Sequence, residues 1–148
     1  MILDREQIKG IIPHRDPFLL IDTVEELEPG IRVVATKHIR EDEDWFRGHF
    51  PGHPVTPGVL VIEMLAQAGA VCALSLPENQ GKLAVIAIHF DYTFDNARFR
   101  KPVEPGMTLR LEVEMIKNRG SIGVGKATAT CDGKRMVTAE ITFALGDR

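Results

Sequence analysis

The sequence has few of the residues that build a metal centre or a disulfide framework. It contains two cysteines, Cys72 and Cys131, which lie far apart in unrelated local contexts. There is no CxxC pair and no cluster of cysteine with histidine, so we expect neither a metal site nor a disulfide. The two thiols are therefore expected to be free and at least partly buried.

The chain also lacks an excess of positive charge, a secretion signal and an uninterrupted apolar span. The formal net charge of −3 argues against a general nucleic-acid binder, although it is compatible with a small basic patch. Residues 1–7 are partly acidic and contain no apolar core, which is not typical of a signal peptide. The longest apolar stretch, 59–76, is interrupted by Glu63 and Gln67 and is marginal for a membrane span. We expect a cytoplasmic protein with no membrane span.

The composition is sufficient for one hydrophobic core. The chain has 148 residues, of which 44% are hydrophobic and 26% charged, as is common in soluble globular domains. Chains of this length usually form one hydrophobic core before they divide. We therefore expect a single domain over residues 1–148.

The N-terminal third predicts a short helix followed by a hairpin. Asp4 is a suitable N-cap for a helix over 4–11. Strands are predicted over 18–24 and 32–38, with a turn between them. The acidic run that leads into Trp45 predicts a short helical turn.

The centre of the chain predicts a rigid loop that leads into a long helix. Residues 49–58 contain three prolines and two glycines, a density that disfavours both helix and strand. The apolar segment 59–76 follows and predicts a helix of about five turns. Because it is apolar on nearly every side, we expect it to be buried all round.

The remainder of the chain predicts strands. Asp132-Gly133 is a typical two-residue hairpin turn, and strands are predicted over 82–90, 94–99, 108–116, 123–131 and 136–145. The predicted fold class is α+β, an antiparallel sheet of five to six strands wrapped around one long central apolar helix. Such a sheet leaves edge strands open, and pairing between two subunits commonly covers them, so we expect a homodimer.

Glu63 is the first candidate for chemistry, because its helical neighbours are apolar. A Glu in a helix more often faces solvent, or is satisfied by a neighbour such as Gln67 at i+4. A carboxyl group in apolar surroundings would be a suitable proton donor near neutral pH.

His49 is the second candidate, because it stands beside the proline-rich turn that could hold its imidazole still for general-base work. A lone histidine is more often structural or exposed. His53 is a competitor of that kind, and His14, His38 and His89 show no special context. The start of the apolar helix would also leave the backbone amides of Gly58 and Val59 free for a carbonyl or oxyanion.

The motif from His49 to Glu63, followed by Gln67, resembles the signature of the FabZ-type 3-hydroxyacyl-(acyl carrier protein) dehydratases. The resemblance continues upstream over 12–22 and downstream over 96–103, 105–106 and 119–123. It covers nearly the whole chain.

This resemblance implies a hot-dog fold and dehydration of (3R)-3-hydroxyacyl-(acyl carrier protein) to the trans-2-enoyl form in fatty acid biosynthesis. It implies that His49 of one subunit acts as base with Glu63 of its partner as acid. The amide of Gly58 would bind the thioester carbonyl, and the carbonyl of Val55 would orient the histidine. No metal or redox cofactor is needed.

The resemblance further implies partners. Dimers of this family often assemble into hexamers, as trimers of dimers. A basic docking region for the acidic acyl carrier protein corresponds to Arg98, Arg100 and Lys101, although these could also be scattered exposed charges.

One segment departs from the family pattern. Residues 87–95 are several residues longer than is usual and lack a glycine. We interpret this as a change in the acyl tunnel, with Phe90 and Tyr92 as a possible gate.

Three alternatives stay open. A bifunctional dehydratase and isomerase that makes cis-3-enoyl chains could use the same pair of residues. A hot-dog thioesterase fits the signature less well. A non-catalytic acyl-binding hot-dog module would have no need for both His49 and Glu63.

Overall fold

The structure, a computed structural model, describes residues 1–88 and 97–146. Its two α-helices and seven strands in these ranges are α1 (Arg5–Lys9), β1 (Thr23–Glu28), β2 (Arg32–His38), α2 (Gly58–Leu74), β3 (Leu83–Ile88), β4 (Ala97–Phe99), β5 (Thr108–Arg119), β6 (Ile122–Cys131) and β7 (Lys134–Gly146). Short 3-10 helices span Asp44–Arg47 and Pro77–Asn79.

The strands form one antiparallel sheet. In the described part of the chain the order is β1-β2-β5-β6-β7-β3, and the short β4 pairs with β7 next to β3. The six strands of the continuous path agree with the predicted five to six. The hairpin turn between β6 and β7 is Asp132-Gly133, whose φ angles of 51° and 79° are both left-handed, as a two-residue type I′ turn requires.

Helix α2 lies in the concave face of this sheet. It packs against β1, β2, β3, β5, β6 and β7. The alternation along β5 explains the packing, because Leu109, Leu111 and Val113 are fully buried on the side that faces the core. A sheet wrapped around one helix is the arrangement of the predicted hot-dog fold.

The predicted burial of the helix on all sides is wrong at its first turn. Val59 is 65% exposed, whereas the residues from Val61 to Leu74 are buried except for Glu63. The helix also begins at Gly58 and ends at Leu74. None of the helices in the described ranges is long and apolar enough to cross a membrane.

The predicted strand over 18–24 is also wrong over residues 18–22. The strand begins at Thr23, and the residues before it follow an irregular path. Leu19 and Ile21 are buried there, which explains the strand-like apolar pattern. The amide of Leu20 donates to the side chain of Gln67 at 2.9 Å, so a helix side chain takes the place of a strand partner.

Candidate active site

The segment that precedes the site is anchored by polar contacts to the sheet. Lys37 Nζ lies 2.8 Å from a carboxylate oxygen of Glu43, and both side chains are almost fully buried, at 4% and 5% exposure. Further along, Trp45 Nε1 donates to Thr56 Oγ1 at 3.2 Å, and the Thr56 amide donates to Val103 O at 2.7 Å. Both ends of the proline-rich loop are therefore fixed.

The loop holds His49 in one orientation. His49 Nδ1 lies 2.7 Å from the carbonyl oxygen of Val55, and the amide of Val55 donates back to His49 O at 3.0 Å. Because a carbonyl oxygen only accepts, the Nδ1 atom must carry the proton. The Nε2 atom is then left with a free lone pair, which is the form that a general base requires.

The start of α2 adds hydrogen-bond donors to the same place. Pro57 is the N-cap, and its carbonyl accepts from Leu60 and Val61. No described residue accepts a hydrogen bond from the amides of Gly58 or Val59, as expected for the first turn of a helix. The helix dipole makes this turn favourable for negative charge.

Gly58 is required here by a close approach. A Cβ atom at this position would lie 2.3 Å from Cε1 of Phe99 on β4, so no larger residue fits unless the ring moves. Around it lies a cavity of about 440 Å³, lined by His49, Val55, Thr56, Gly58, Val59, Val61, Phe99, Arg100, Lys101, Pro102, Val103 and Val137. The cavity is large enough for a small-molecule group.

Glu63 lies one turn further along α2 and is held by a buried amide. Gln67 is fully buried. Its Nε2 donates to Phe18 O at 2.8 Å and, at the longer distance of 3.4 Å, to Glu63 Oε1. The Glu63 side chain is 22% exposed, and His14 Nε2 lies 3.7 Å from the same Oε1.

Within one chain the two candidate catalytic residues are not brought together. The side chain of Glu63 contacts Gln67 and His14. The ring nitrogen of His49 contacts Val55 instead. Glu63 does not line the cavity that contains His49. Each chain therefore presents a histidine beside the amides of a helix start in one place and a carboxyl group in another.

The expected docking residues lie beside the cavity. Arg100 and Lys101 line it. Arg98 and Arg100 also line a groove of about 530 Å³ on the outer face of the sheet, together with Lys126 and Arg135 and with glutamate side chains of β5. The expected gate residues, Phe90 and Tyr92, lie outside the described residues.

Sequence reasoning missed two features of the site. His14 was assigned no special context, because its neighbour Glu63 is distant in the sequence. The pairing of Lys37 with Glu43 was not predicted either. The sequence signal was a lysine among the apolar residues of β2, because a buried lysine needs a partner of opposite charge.

The chain is similar in sequence to known proteins of one family. A family model described as a FabA-like domain matches residues 12–140. Proteins named 3-hydroxyacyl-(acyl-carrier-protein) dehydratase FabZ from Bacillus cereus (strain AH820) and Bacillus thuringiensis (strain Al Hakam) are each 54% identical over 147 residues, which cover 99% of this chain and 99% of each relative.

A solved structure shares the fold. It is titled the dehydratase heterocomplex ApeI:P from Xenorhabdus doucetiae, with a TM-score of 0.78 over 95% of this chain and 91% of that chain. At 18% sequence identity, this likeness shows the fold alone.

Proposed function

The chain belongs to the FabA-like family, and we propose that it is a hydro-lyase that converts (3R)-3-hydroxyacyl-(acyl carrier protein) to trans-2-enoyl-(acyl carrier protein) in fatty acid biosynthesis. Relatives of 54% identity over essentially the full length carry the name of that activity. The observation that carries the proposal is the bond from His49 Nδ1 to Val55 O, which leaves a basic Nε2 on a cavity next to the amides of Gly58 and Val59.

In this mechanism His49 Nε2 removes a proton from C2 of the acyl chain. The thioester oxygen accepts from the Gly58 amide, with that of Val59 beside it, so the negative charge that develops there meets preorganised donors. The electron pair of the C2–H bond forms the C2–C3 double bond as the C3–O bond breaks. Glu63 gives its proton to the leaving hydroxyl group, directly or through a water molecule, and water departs.

We further propose that the acid comes from a second subunit. Within one chain Glu63 does not contact His49, and exposed apolar side chains surround the site: Phe18 is 52% exposed, Phe50 50% and Val59 65%. A second copy of the chain would cover such a surface. The partner's Glu63 would then complete the site, in a homodimer that assembles into a hexamer as a trimer of dimers.

We also propose the domain organisation, the cellular location and the docking surface. Residues 1–148 form a single hot-dog dehydratase domain that works in the cytoplasm. Arg98, Arg100 and Lys101 are exposed and lie next to the cavity, where they suit an acidic carrier protein. Electrostatic steering of this kind raises association rates and weakens with salt.

The test is direct turnover of the carrier-bound substrate. Purified protein is incubated with 3-hydroxyacyl carrier protein of several chain lengths, and mass spectrometry follows the loss of water. We expect turnover by the wild type, a loss of roughly 10²–10⁴-fold in His49→Ala and Glu63→Gln, and near wild-type rates in the exposed-histidine control His53→Ala.

Other outcomes separate the alternatives. A cis-3 product, resolved by chromatography of the released acids, would establish the bifunctional isomerase. Binding of acylated carrier protein without any loss of water would overturn the proposal in favour of an acyl-binding module.

A further inference from the structure

Among the described residues, the polar contacts of the Glu63 carboxyl group are all made through one of its two oxygens. Gln67 Nε2 at 3.4 Å and His14 Nε2 at 3.7 Å both approach Oε1. No hydrogen bond from the described residues reaches Oε2. The two oxygens of this carboxyl therefore have different surroundings, and Oε2 is the one that is available to another group.

His14 is itself placed by its neighbours. The guanidinium group of Arg15 donates to the carbonyl oxygens of Ile12 at 3.0 Å, His14 at 2.7 Å and Lys9 at 3.2 Å. These bonds fix the backbone on both sides of the histidine. Its side chain is 20% exposed, so the imidazole is confined next to Glu63.

The other ring nitrogen of His14 is unsatisfied. The Nδ1 atom is buried, and it has no hydrogen-bond partner among the described residues. A buried polar atom without a partner is costly, and a buried N–H donor without one is rarer than an unpaired acceptor. The tautomer with its proton on Nε2 is therefore favoured, and Nε2 is the nitrogen that lies 3.7 Å from Glu63 Oε1.

We infer that His14 is a positioning residue for the proton-donating carboxyl group: its Nε2–H, together with Gln67, holds Oε1 of Glu63, so that Oε2 is the oxygen that delivers the proton. This inference rests on the proposed dehydratase function. The present separation of 3.7 Å exceeds hydrogen-bond length, and contacts of this kind commonly shorten when substrate completes the site.

The test is a double-mutant cycle in the turnover assay. His14→Asn removes the donor from the Nε2 position, whereas His14→Gln places an amide nitrogen near it. As Glu63 gives up its proton its carboxyl group becomes negatively charged, and His14→Asn removes one hydrogen bond to that charge. We therefore expect kcat to fall about tenfold, with KM changed less than about twofold. His14→Gln should recover most of that loss.

The same substitution is then made in the Glu63→Gln variant. Because His14 acts through the carboxyl group, His14→Asn should lower the residual rate less than about twofold in that background. The matched control is His53→Asn, an exposed histidine, in both backgrounds. If His14→Asn does not fold, His14→Phe keeps a ring without nitrogen donors and takes its place in the cycle.

Two results would overturn the inference while the dehydratase function stands: a wild-type kcat in His14→Asn, or equal losses in the two backgrounds. If the wild-type kcat comes with a raised KM, His14 contacts the substrate instead. If the wild type itself does not dehydrate the substrate, the proposed function fails, and the inference fails with it.

Discussion

Gly69 sets the distance between α2 and the sheet, and Gly69→Ala tests this directly. A Cβ atom at this position would lie 2.2 Å from Cζ and 2.8 Å from Cε1 of Phe143. Phe143 is fully buried. Its ring also packs on Gly125, where a Cβ atom would be 3.3 Å from Cε2, so the ring has little room to retreat.

The expected cost follows from this geometry. Overpacking of a filled core costs about 1–3 kcal/mol, and so close an approach belongs at the upper end of that range. Because alanine is about 1 kcal/mol more favourable than glycine inside a helix, we expect a net loss of about 2 kcal/mol for Gly69→Ala. For a chain of this size the melting temperature falls about 3 °C for each kcal/mol, which predicts a decrease of about 6 °C. The assay is thermal unfolding followed by circular dichroism, at equal protein concentrations because an oligomer melts in a concentration-dependent way.

The partner substitution shows whether the clash is the cause. Phe143→Leu alone should cost about 1–2 kcal/mol through the space it leaves. In the double variant the new methyl group occupies part of that space, so the combined loss should be smaller than the sum by about 1 kcal/mol or more. A wild-type melting temperature for Gly69→Ala, or strict additivity, would refute the reasoning.

Two further predictions concern buried groups outside the site. In the described part of the chain, Lys37→Met leaves the buried Glu43 with Arg40 as its one remaining cationic partner, at 3.0 Å. Urea unfolding should show a loss of about 3 kcal/mol; no loss would contradict the anchoring role of the pair. Burial raises the pKa of Cys72 to about 11, so at pH 8 its thiol stays protonated and iodoacetamide should label the half-buried Cys131 first. Peptide mass spectrometry checks this, and faster labelling of Cys72 would contradict it.

The parts of the fold that rest on local patterns were predictable from the sequence. Strand β2 was predicted over the residues it occupies, and the density of proline over 49–58 identified the loop that carries His49. The strand predicted over 108–116 lies within β5. In each case the signal lies within one segment of chain.

The parts that depend on distant contacts were not predictable in this way. Residues 18–22 have the apolar pattern of a strand, but the side chain of Gln67 on α2 satisfies the Leu20 amide. His14 is of interest because it lies next to Glu63, which is 49 positions later in the sequence. The exposure of Val59 was not predicted, because the sequence of an apolar helix does not distinguish residues that pack in the core from residues that a partner subunit would cover.

The central claim is that one site uses His49 from one chain and Glu63 from another, and subunit complementation tests it most directly. The His49→Ala and Glu63→Gln chains carry different affinity tags and are co-expressed, and assemblies with both tags are isolated by two successive tag purifications. Each mixed dimer contains one site with both wild-type residues. We predict about half of the wild-type rate per dimer for free mixed dimers and about a quarter for hexamers of randomly paired dimers, whereas the two parent variants stay nearly inactive. If the mixed dimers are as inactive as the parents, both residues act within one chain and the shared site is contradicted.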